Sequence, residues 1–231
     1  MPTTRSSRAH PAAALAAVPA VAAVLMLGVW VAGGVISDDY RISMALTAVW
    51  FLLSGAVCLV IARHVRPLRV AVLATYVLTA GAVGAYLAAT TLQDRVVDEQ
   101  VVTAAPAPAA PPARGMEAPA RAVELASGRF RSHEHATSGR AAVVRLADGR
   151  RFLTLTSFAT SAGPDLRVRL VPGGSFDGGA DGAVDVGALK GNRGDQQYRL
   201  PAGTRLEGRN VVIWCRAFSA PFGSAPLRED S

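Results

Sequence analysis

Residues 70–92, VAVLATYVLTAGAVGAYLAATTL, contain no Asp, Glu, Lys, Arg or His. A helix needs about 20 apolar residues to cross the ~30 Å hydrocarbon core of a bilayer, so this stretch predicts a transmembrane helix. Residues 12–36 and 43–62 have the same character. Together the three stretches predict a transmembrane anchor of three helices over residues 12–92. Their lack of charged residues argues against a transporter or pump, which would need ionisable groups within the membrane.

The loops between these stretches predict how the chain is oriented. Residues 63–69, RHVRPLR, carry three Arg, whereas residues 37–41, SDDYR, are acidic on balance. Arg5 and Arg8 precede the first stretch. Because basic loops stay in the cytoplasm, we expect a multi-pass plasma-membrane protein with a cytoplasmic N-terminus (residues 1–11) and everything after Leu92 outside the cytoplasm.

The first apolar stretch has an alternative interpretation as a cleaved signal peptide. The small residues Ala32, Gly33 and Gly34 follow its apolar run, as they would at a cleavage site. The run is longer than a typical signal-peptide core, which favours an uncleaved anchor. Either interpretation leaves the C-terminal part outside the cytoplasm.

The composition agrees with a membrane protein that carries a polar portion. Hydrophobic residues make up 51% and charged residues 18%, against about 25% charge in typical soluble domains. The net charge is +7, and 23 of the 24 basic residues are Arg. Since such Arg usage reflects a GC-rich genome as readily as a function, we predict no nucleic-acid partner. The positive C-terminal part favours anionic envelope polymers as partners instead.

A linker is predicted between the helices and a C-terminal domain. Residues 104–120, AAPAPAAPPARGMEAPA, have five prolines and no apolar periodicity, which is typical of an extended, disordered spacer. We therefore assign residues 93–120 to a Pro/Ala-rich extracytoplasmic linker and residues 121–231 to one small domain.

The pattern of this domain is β throughout. Leu166, Val168 and Leu170 alternate with Arg167 and Arg169, which predicts a half-buried strand with a solvated arginine face. Asp148-Gly149 predicts a two-residue hairpin turn between two strands. The predicted strands cover residues 128–132, 140–147, 151–158, 165–171, 196–200 and 210–218. Short strands separated by Gly/Pro loops predict an all-β domain, a β-sandwich or barrel.

The two cysteines fall in different regions. Cys58 lies in the second apolar stretch and is interpreted as a small packing residue. Cys215 is a lone thiol in a compartment that is oxidising, which is unusual. By strand parity it shares a face with Val211 and Ile213. An inert buried thiol is therefore favoured over a reactive one from the residues alone.

Few other residues suggest chemistry. His133 and His135 lie two apart and share one side of an extended segment, but a pair alone is a weak indication of a metal or haem iron site. Asp177, Asp181 and Asp185 lie in a glycine-rich loop without calcium-binding spacing. No metal site is predicted, and no catalytic set can be assembled.

Motifs along residues 122–227 carry a family resemblance. In order these are HATSG at residues 135–139, GPDLxV at 163–168, LKGNxGxQxYxLP at 189–201, and WCxxFxxPFGxAxL at 214–227. The chain here resembles the DM-thirteen domain family, an electron-transfer module associated with DOMON domains. The N-terminal membrane half resembles no family that we recognise.

The resemblance implies a DOMON-like β-sandwich with a role in extracytoplasmic electron transfer. It implies that Cys215 acts as a bare redox thiol or as a ligand to a bound group such as haem, with His135 as second ligand or thiol partner. It also implies a redox partner protein. The alternative is a non-catalytic surface module that binds an envelope ligand, with Cys215 in the core.

Overall fold

The computed structural model describes residues 9–37, 39–104 and 122–229. The chain divides into two compact units, Met1–Thr90 and Thr91–Ser231. Arg5, Arg8 and Asp38 of the topology prediction, and residues 105–120 of the predicted linker, lie outside the described residues.

The first unit consists of three apolar helices, as predicted. They are α1 (Ala9–Gly34), α2 (Tyr40–His64) and α3 (Arg69–Leu92), and all three are long and apolar enough to span a membrane. Asp39 caps α2 by accepting a hydrogen bond from the amide of Ile42 at 2.9 Å. The α2 helix ends at His64, and the next residue, Val65, leaves helical backbone at φ −116° and ψ 77°.

Close approach and internal hydrogen bonding hold these helices together. A Cβ on Gly28 of α1 would lie within about 2 Å of the Trp50 indole of α2, so only glycine admits this contact. The Tyr76 hydroxyl of α3 donates to the Phe51 carbonyl of α2 at 2.8 Å. The Ser54 hydroxyl donates to the Trp50 carbonyl of the same helix at 2.7 Å. Such pairing satisfies polar groups that lipid cannot hydrate.

The second unit contains two sheets. Its strands are β1 (Val96–Asp98), β2 (Val123–Arg129), β3 (Arg131–Ser132), β4 (Ser138–Arg145), β5 (Arg151–Ala159), β6 (Leu166–Pro172), β7 (Val184–Ala188), β8 (Arg193–Arg199), β9 (Arg209–Cys215), β10 (Ala220–Pro226) and β11 (Arg228–Glu229). One sheet has the order β1-β8-β5-β4-β2-β11 and the other β3-β10-β9-β6-β7. All pairings are antiparallel except that of β1 with β8. The arrangement is that of a β-sandwich, as predicted.

Alternation along β6 places its apolar side chains in the core. Val168 and Leu170 are fully buried, and Leu166 is nearly so. The arginines between them are only half-exposed rather than solvated as expected. Arg167 pairs with Asp185 of β7 at 2.9 Å, and Arg169 approaches the same carboxylate. The neighbouring strand thus neutralises a face that the pattern alone assigned to water.

The hairpin between β4 and β5 has a longer loop than predicted. Arg145 pairs with Arg151, and the Leu146 amide donates to the Arg150 carbonyl. Three residues therefore make the connection, with Gly149 in the left-handed region at φ 82°. The prediction of a two-residue turn was wrong, because a three-residue loop that ends in a left-handed glycine also suits a hairpin.

Strand β1 comes from residues that were assigned to the linker. Val96–Asp98 pair in parallel with Arg193–Asp195 of β8. Only two adjacent valines distinguish this segment in the sequence, which is too short a pattern to predict a strand. Since β1 and β2 belong to one sheet, the Pro-rich residues 104–120 connect two strands of the same sheet.

The end of β9 also differs from the prediction. The strand was expected to continue to Phe218 but ends at Cys215, and residues 216–219 turn the chain into β10. Ser219 closes this turn at φ 47°. Cys215 is thus the last residue of a central strand.

Candidate functional site

Cys215 lies at the end of β9, the central strand of the five-stranded sheet. Its strand β9 runs between β6 and β10, and Cys215 itself pairs with Leu166 on one side and Ala220 on the other. The side chain has no solvent-exposed surface. Among the described residues, Cys58 and Cys215 are both unpaired thiols.

The thiol is held by a backbone carbonyl. Cys215 Sγ donates to the carbonyl of Pro164 at 3.0 Å. Burial raises the pKa of the Cys215 thiol to about 12, although the amides of Phe218 and Ala217 favour the thiolate. The thiol is therefore protonated at neutral pH, and the thiolate that reacts with disulfides is scarce.

The loop at residues 163–166 covers the thiol in a strained conformation. Asp165 has φ 54°, a left-handed backbone that aspartate tolerates better than most residues. Its carbonyl accepts from the Arg216 amide, and its carboxylate accepts from the Arg216 guanidinium at 2.6 Å. The loop is thus tied to the residue that follows Cys215.

Phe222 joins this loop to the predicted histidine. A Cβ on Gly163 would lie 2.8 Å from the Phe222 ring, so glycine is needed for the ring to pack there. The His135 ring stacks on the same Phe222 ring. The ring centres are 3.9 Å apart, and the angle between the ring planes is 34°. The loop at residues 163–166 thus contacts Cys215 through Pro164, and through Gly163 it contacts the ring on which His135 stacks.

The Phe222 carbonyl organises the segment that carries the histidines. It accepts from the amides of His133 and His135 at 3.0 and 3.4 Å. It also accepts from the Thr137 hydroxyl at 3.1 Å, and that hydroxyl pairs with the Thr160 hydroxyl at 2.8 Å. Phe222 had no role in the sequence analysis beyond its place in the motif, because a backbone acceptor leaves no pattern in side-chain types.

His133 is directed to a different group. Its Nε2 lies 2.8 Å from the Ser224 hydroxyl, and its ring packs near Phe176. Burial lowers the pKa of the His133 imidazole, and the nearby Glu134 carboxylate opposes that shift. The two histidines thus contact different partners and do not converge on one point as a ligand pair.

The side of β9 opposite Cys215 is also covered. Trp214 is buried against Val171 and Val212, and Ala180 and Ala183 of the 173–183 loop pack over it. Strand parity directs Trp214 to the face opposite Cys215. The glycine-rich loop makes a second small core there, because Gly178 lies so close that its Cβ would be 2.3 Å from the indole. Asp177 and Asp181 of this loop remain exposed, as expected for a solvated loop.

The residues present do not fit a haem. A sulfur ligand must face an open slot in which the iron can bind. Cys215 Sγ faces the Pro164 carbonyl at 3.0 Å and has no exposed surface. Among the described residues no group of three or more His, Cys, Asp or Glu is arranged to hold a metal ion. No electron-transfer step is therefore assigned to haem.

A second cluster around Lys190 was not predicted as a site. Lys190 Nζ donates to both carboxylate oxygens of Glu99, at 2.7 and 2.9 Å, and to the Gln197 carbonyl at 2.7 Å. It also lies 5.1 Å from the centre of the Tyr198 ring. Burial raises the pKa of Tyr198 to about 12. Lys190 stands in the LKGN motif and is the single lysine of the chain, but neither feature indicates its partners.

Comparison with known families agrees with the resemblance seen in the motifs. The family described as Electron transfer DM13 matches residues 129–227. No curated protein and no solved structure matches the chain.

Proposed function

We propose that this chain, whose residues 129–227 form a DM13 domain, is a multi-pass plasma-membrane protein that presents an electron-transfer module outside the cytoplasm. The family match is the observation that carries the proposal. Cys215 is the candidate redox group, since it is the one cysteine of this chain in the matched region. His135, stacked on Phe222, is the candidate residue that positions the loop over the thiol.

The orientation rests on the charges next to the helices. Arg63, Arg66 and Arg69 lie between α2 and α3, where the positive-inside rule assigns the loop to the cytoplasm. Lys190 offers a direct test, because it is the only lysine. A membrane-impermeant amine reagent should label intact cells at Lys190 and leave Lys190→Arg unlabelled. Labelling that requires lysed cells would place the domain on the cytoplasmic side.

The proposed chemistry is thiol–disulfide exchange with a partner protein. The Cys215 thiol gives up its proton, and the thiolate attacks one sulfur of a partner disulfide. A mixed disulfide forms, and the second partner sulfur leaves as a thiolate. Because the loop at 163–166 covers Sγ, the reaction requires this loop to open first.

A second candidate function follows from the burial of the thiol. Complete burial and a pKa of about 12 are typical of a structural cysteine. In this case the domain is a binding module for an anionic envelope polymer or a partner protein, and Cys215 contributes only packing.

Thiol reactivity separates the two candidates. In a Cys58→Ser background, Cys215 is the only thiol, and its reaction with an aromatic disulfide reagent can be followed by mass spectrometry. If the thiol stays closed, we expect a rate far below that of an exposed thiol, because Sγ has no exposed surface and its thiolate is scarce. The redox function predicts that a partner-linked mixed disulfide nevertheless accumulates in native membranes. This mixed disulfide should be absent from membranes that contain the Cys215→Ser variant.

An absorption spectrum of the protein from its own membranes provides the complementary test. We expect no Soret band before or after dithionite, because the site does not fit a haem. A band that disappears in Cys215→Ser would contradict this assignment. Absence of the mixed disulfide, with unchanged ligand binding by Cys215→Ser, would favour the binding module.

A further inference from the structure

The LKGN-x-G-x-Q-x-Y motif at residues 189–198 has no place in the function proposed above. Its residues line the side of β8 on which β1 adds as a parallel strand. Hydrogen bonds extend this contact beyond the three paired residues. The Arg193 amide donates to the Arg95 carbonyl, the Glu99 amide to the Asp195 carbonyl, and the Val102 amide to Gln197 Oε1. Residues 94–102 thus dock along the whole motif.

Two glycines of the motif make room for this segment. A Cβ on Gly191 would lie 2.5 Å from the Arg95 carbonyl oxygen, and one on Gly194 would lie 2.0 Å from that of Val97. Gly194 also has φ 94°, which side chains rarely adopt. The motif therefore has glycine where another backbone approaches closely.

Two polar side chains of the motif bind the acidic residues at the first and sixth positions of the segment. Asn192 Nδ2 donates to Asp94 Oδ1 at 2.7 Å, and Asn192 Oδ1 accepts from the Arg95 amide at 2.6 Å. Lys190 binds the Glu99 carboxylate, as described above. The carboxylates of Asp94 and Glu99, at the first and sixth positions of the segment, are thus both held by residues of the motif.

We propose that residues 189–198 form a strand-docking site whose ligand is an extended segment with acidic residues at its first and sixth positions. The ligand in this protein is its own segment 94–102. The site lies within the region matched by the DM13 family, whereas the ligand lies outside it. Strand addition supplies affinity through main-chain hydrogen bonds, and the side-chain contacts supply selectivity.

The proposal predicts that the β domain stays bound to its segment after the chain between them is cut. A recognition sequence for a site-specific protease is placed within residues 105–120 of the full-length protein in membranes. After complete cleavage, the fragment that starts beyond the cut should sediment with the membranes. Excess peptide QDRVVDEQVVT, residues 93–103, should release it. The same peptide with Asp94→Asn and Glu99→Gln should release less of it at the same concentration.

Charge variants provide the matched controls. Glu99→Lys places a second cation beside Lys190 and should speed release of the cut domain roughly fivefold or more. Glu99→Lys combined with Lys190→Glu restores an opposite-charge pair and should restore retention. Asp98→Lys makes the same charge change at an exposed position of β1 and should leave release unchanged.

Two results would overturn the proposal. One is loss of the cut wild-type domain from the membranes while its tryptophan fluorescence still reports a folded state. The other is retention that neither the peptide nor Glu99→Lys reduces, since the domain would then be held by something else. Neither result depends on Cys215, so failure here is distinct from failure of the redox function.

Discussion

Cys215 and Lys190 belong to the same domain but are held by opposite means. Cys215 ends the central strand of one sheet, where burial keeps its thiol protonated and a backbone carbonyl accepts its hydrogen. The Lys190 side chain lies beside β8, remains 40% exposed and pairs with the Glu99 carboxylate. The first region is stabilised by packing, and the second by contacts that salt, pH and competing segments can weaken. Variants near Cys215 and variants near Lys190 should therefore differ in how much they change stability, and in how that change depends on salt and pH.

The largest effect is expected at Phe222. Phe222→Ala removes a fully buried ring that packs against Gly163 and His135. Such truncations lower the free energy of unfolding by about 3–5 kcal/mol. Chemical denaturation followed by tryptophan fluorescence measures the change. Phe176→Ala, which truncates a 41% exposed ring, is the control and should change stability far less. Equal losses of stability in the two variants would mean that the buried Phe222 ring contributes no more than an exposed ring.

The pH dependence of stability should identify the buried thiol. The pKa of Cys215 is raised in the folded state from 9.0 to about 12, so its contribution is complete below pH 9 and is lost as pH rises toward 12. The loss amounts to about 1.4 kcal/mol per pH unit in that window. Cys215→Ala should flatten the curve between pH 9 and pH 10. Tyr198, whose pKa is also raised to about 12, maintains a decline above pH 10 in this variant.

A smaller effect is expected at Asn192, which contacts the start of the docked segment 94–102. Asn192→Ala removes the amide that bonds Asp94, the Arg95 amide and the Thr160 carbonyl. Leaving the buried Thr160 carbonyl unpaired costs about 1–3 kcal/mol. Hydrogen exchange at residues 95–102 should rise first, while β9 remains protected. Simultaneous loss of protection in both places would mean that segment and core unfold together.

The smallest effect is expected at Glu99. Burial raises the pKa of its carboxyl, but the hydrogen bonds from Lys190 and the Gln197 amide outweigh this and leave the pKa lowered. The stabilisation is therefore present above the ordinary value of 4.5 and is lost as pH falls below it. Glu99→Gln should lower stability by no more than about 1 kcal/mol, because solvent screens the pair. The variant should also lose the acid dependence of hydrogen exchange in β1.

Helices and strands with a clear side-chain periodicity could be predicted from the sequence. Strands without such periodicity were missed. The helices and β6 follow from long apolar runs and from alternation. Strand β10 was missed because Pro221 and Gly223 are typical strand breakers, and the structure accommodates them at a register shift between those two residues. Strand β1 was missed because it is short and gains its order from β8 rather than from its own composition.

The site was predictable only in part for a related reason. Strand parity placed Cys215 in the core, and the structure agrees. The partner of the thiol could not be predicted, because the Pro164 carbonyl is a backbone atom that any residue would supply. The cover over Trp214 depends on a loop folding back, which local pattern does not report.

The parallel pairing of β1 with β8 has a practical consequence for fragments of this protein. A fragment bounded by residues 129–227, or one that begins at 121, would leave the amide and carbonyl groups along β8 without their strand. Unpaired sheet edges recruit strands from neighbouring molecules and promote aggregation. A soluble fragment for biochemical work should therefore begin before Asp94, so that each molecule carries its own edge strand.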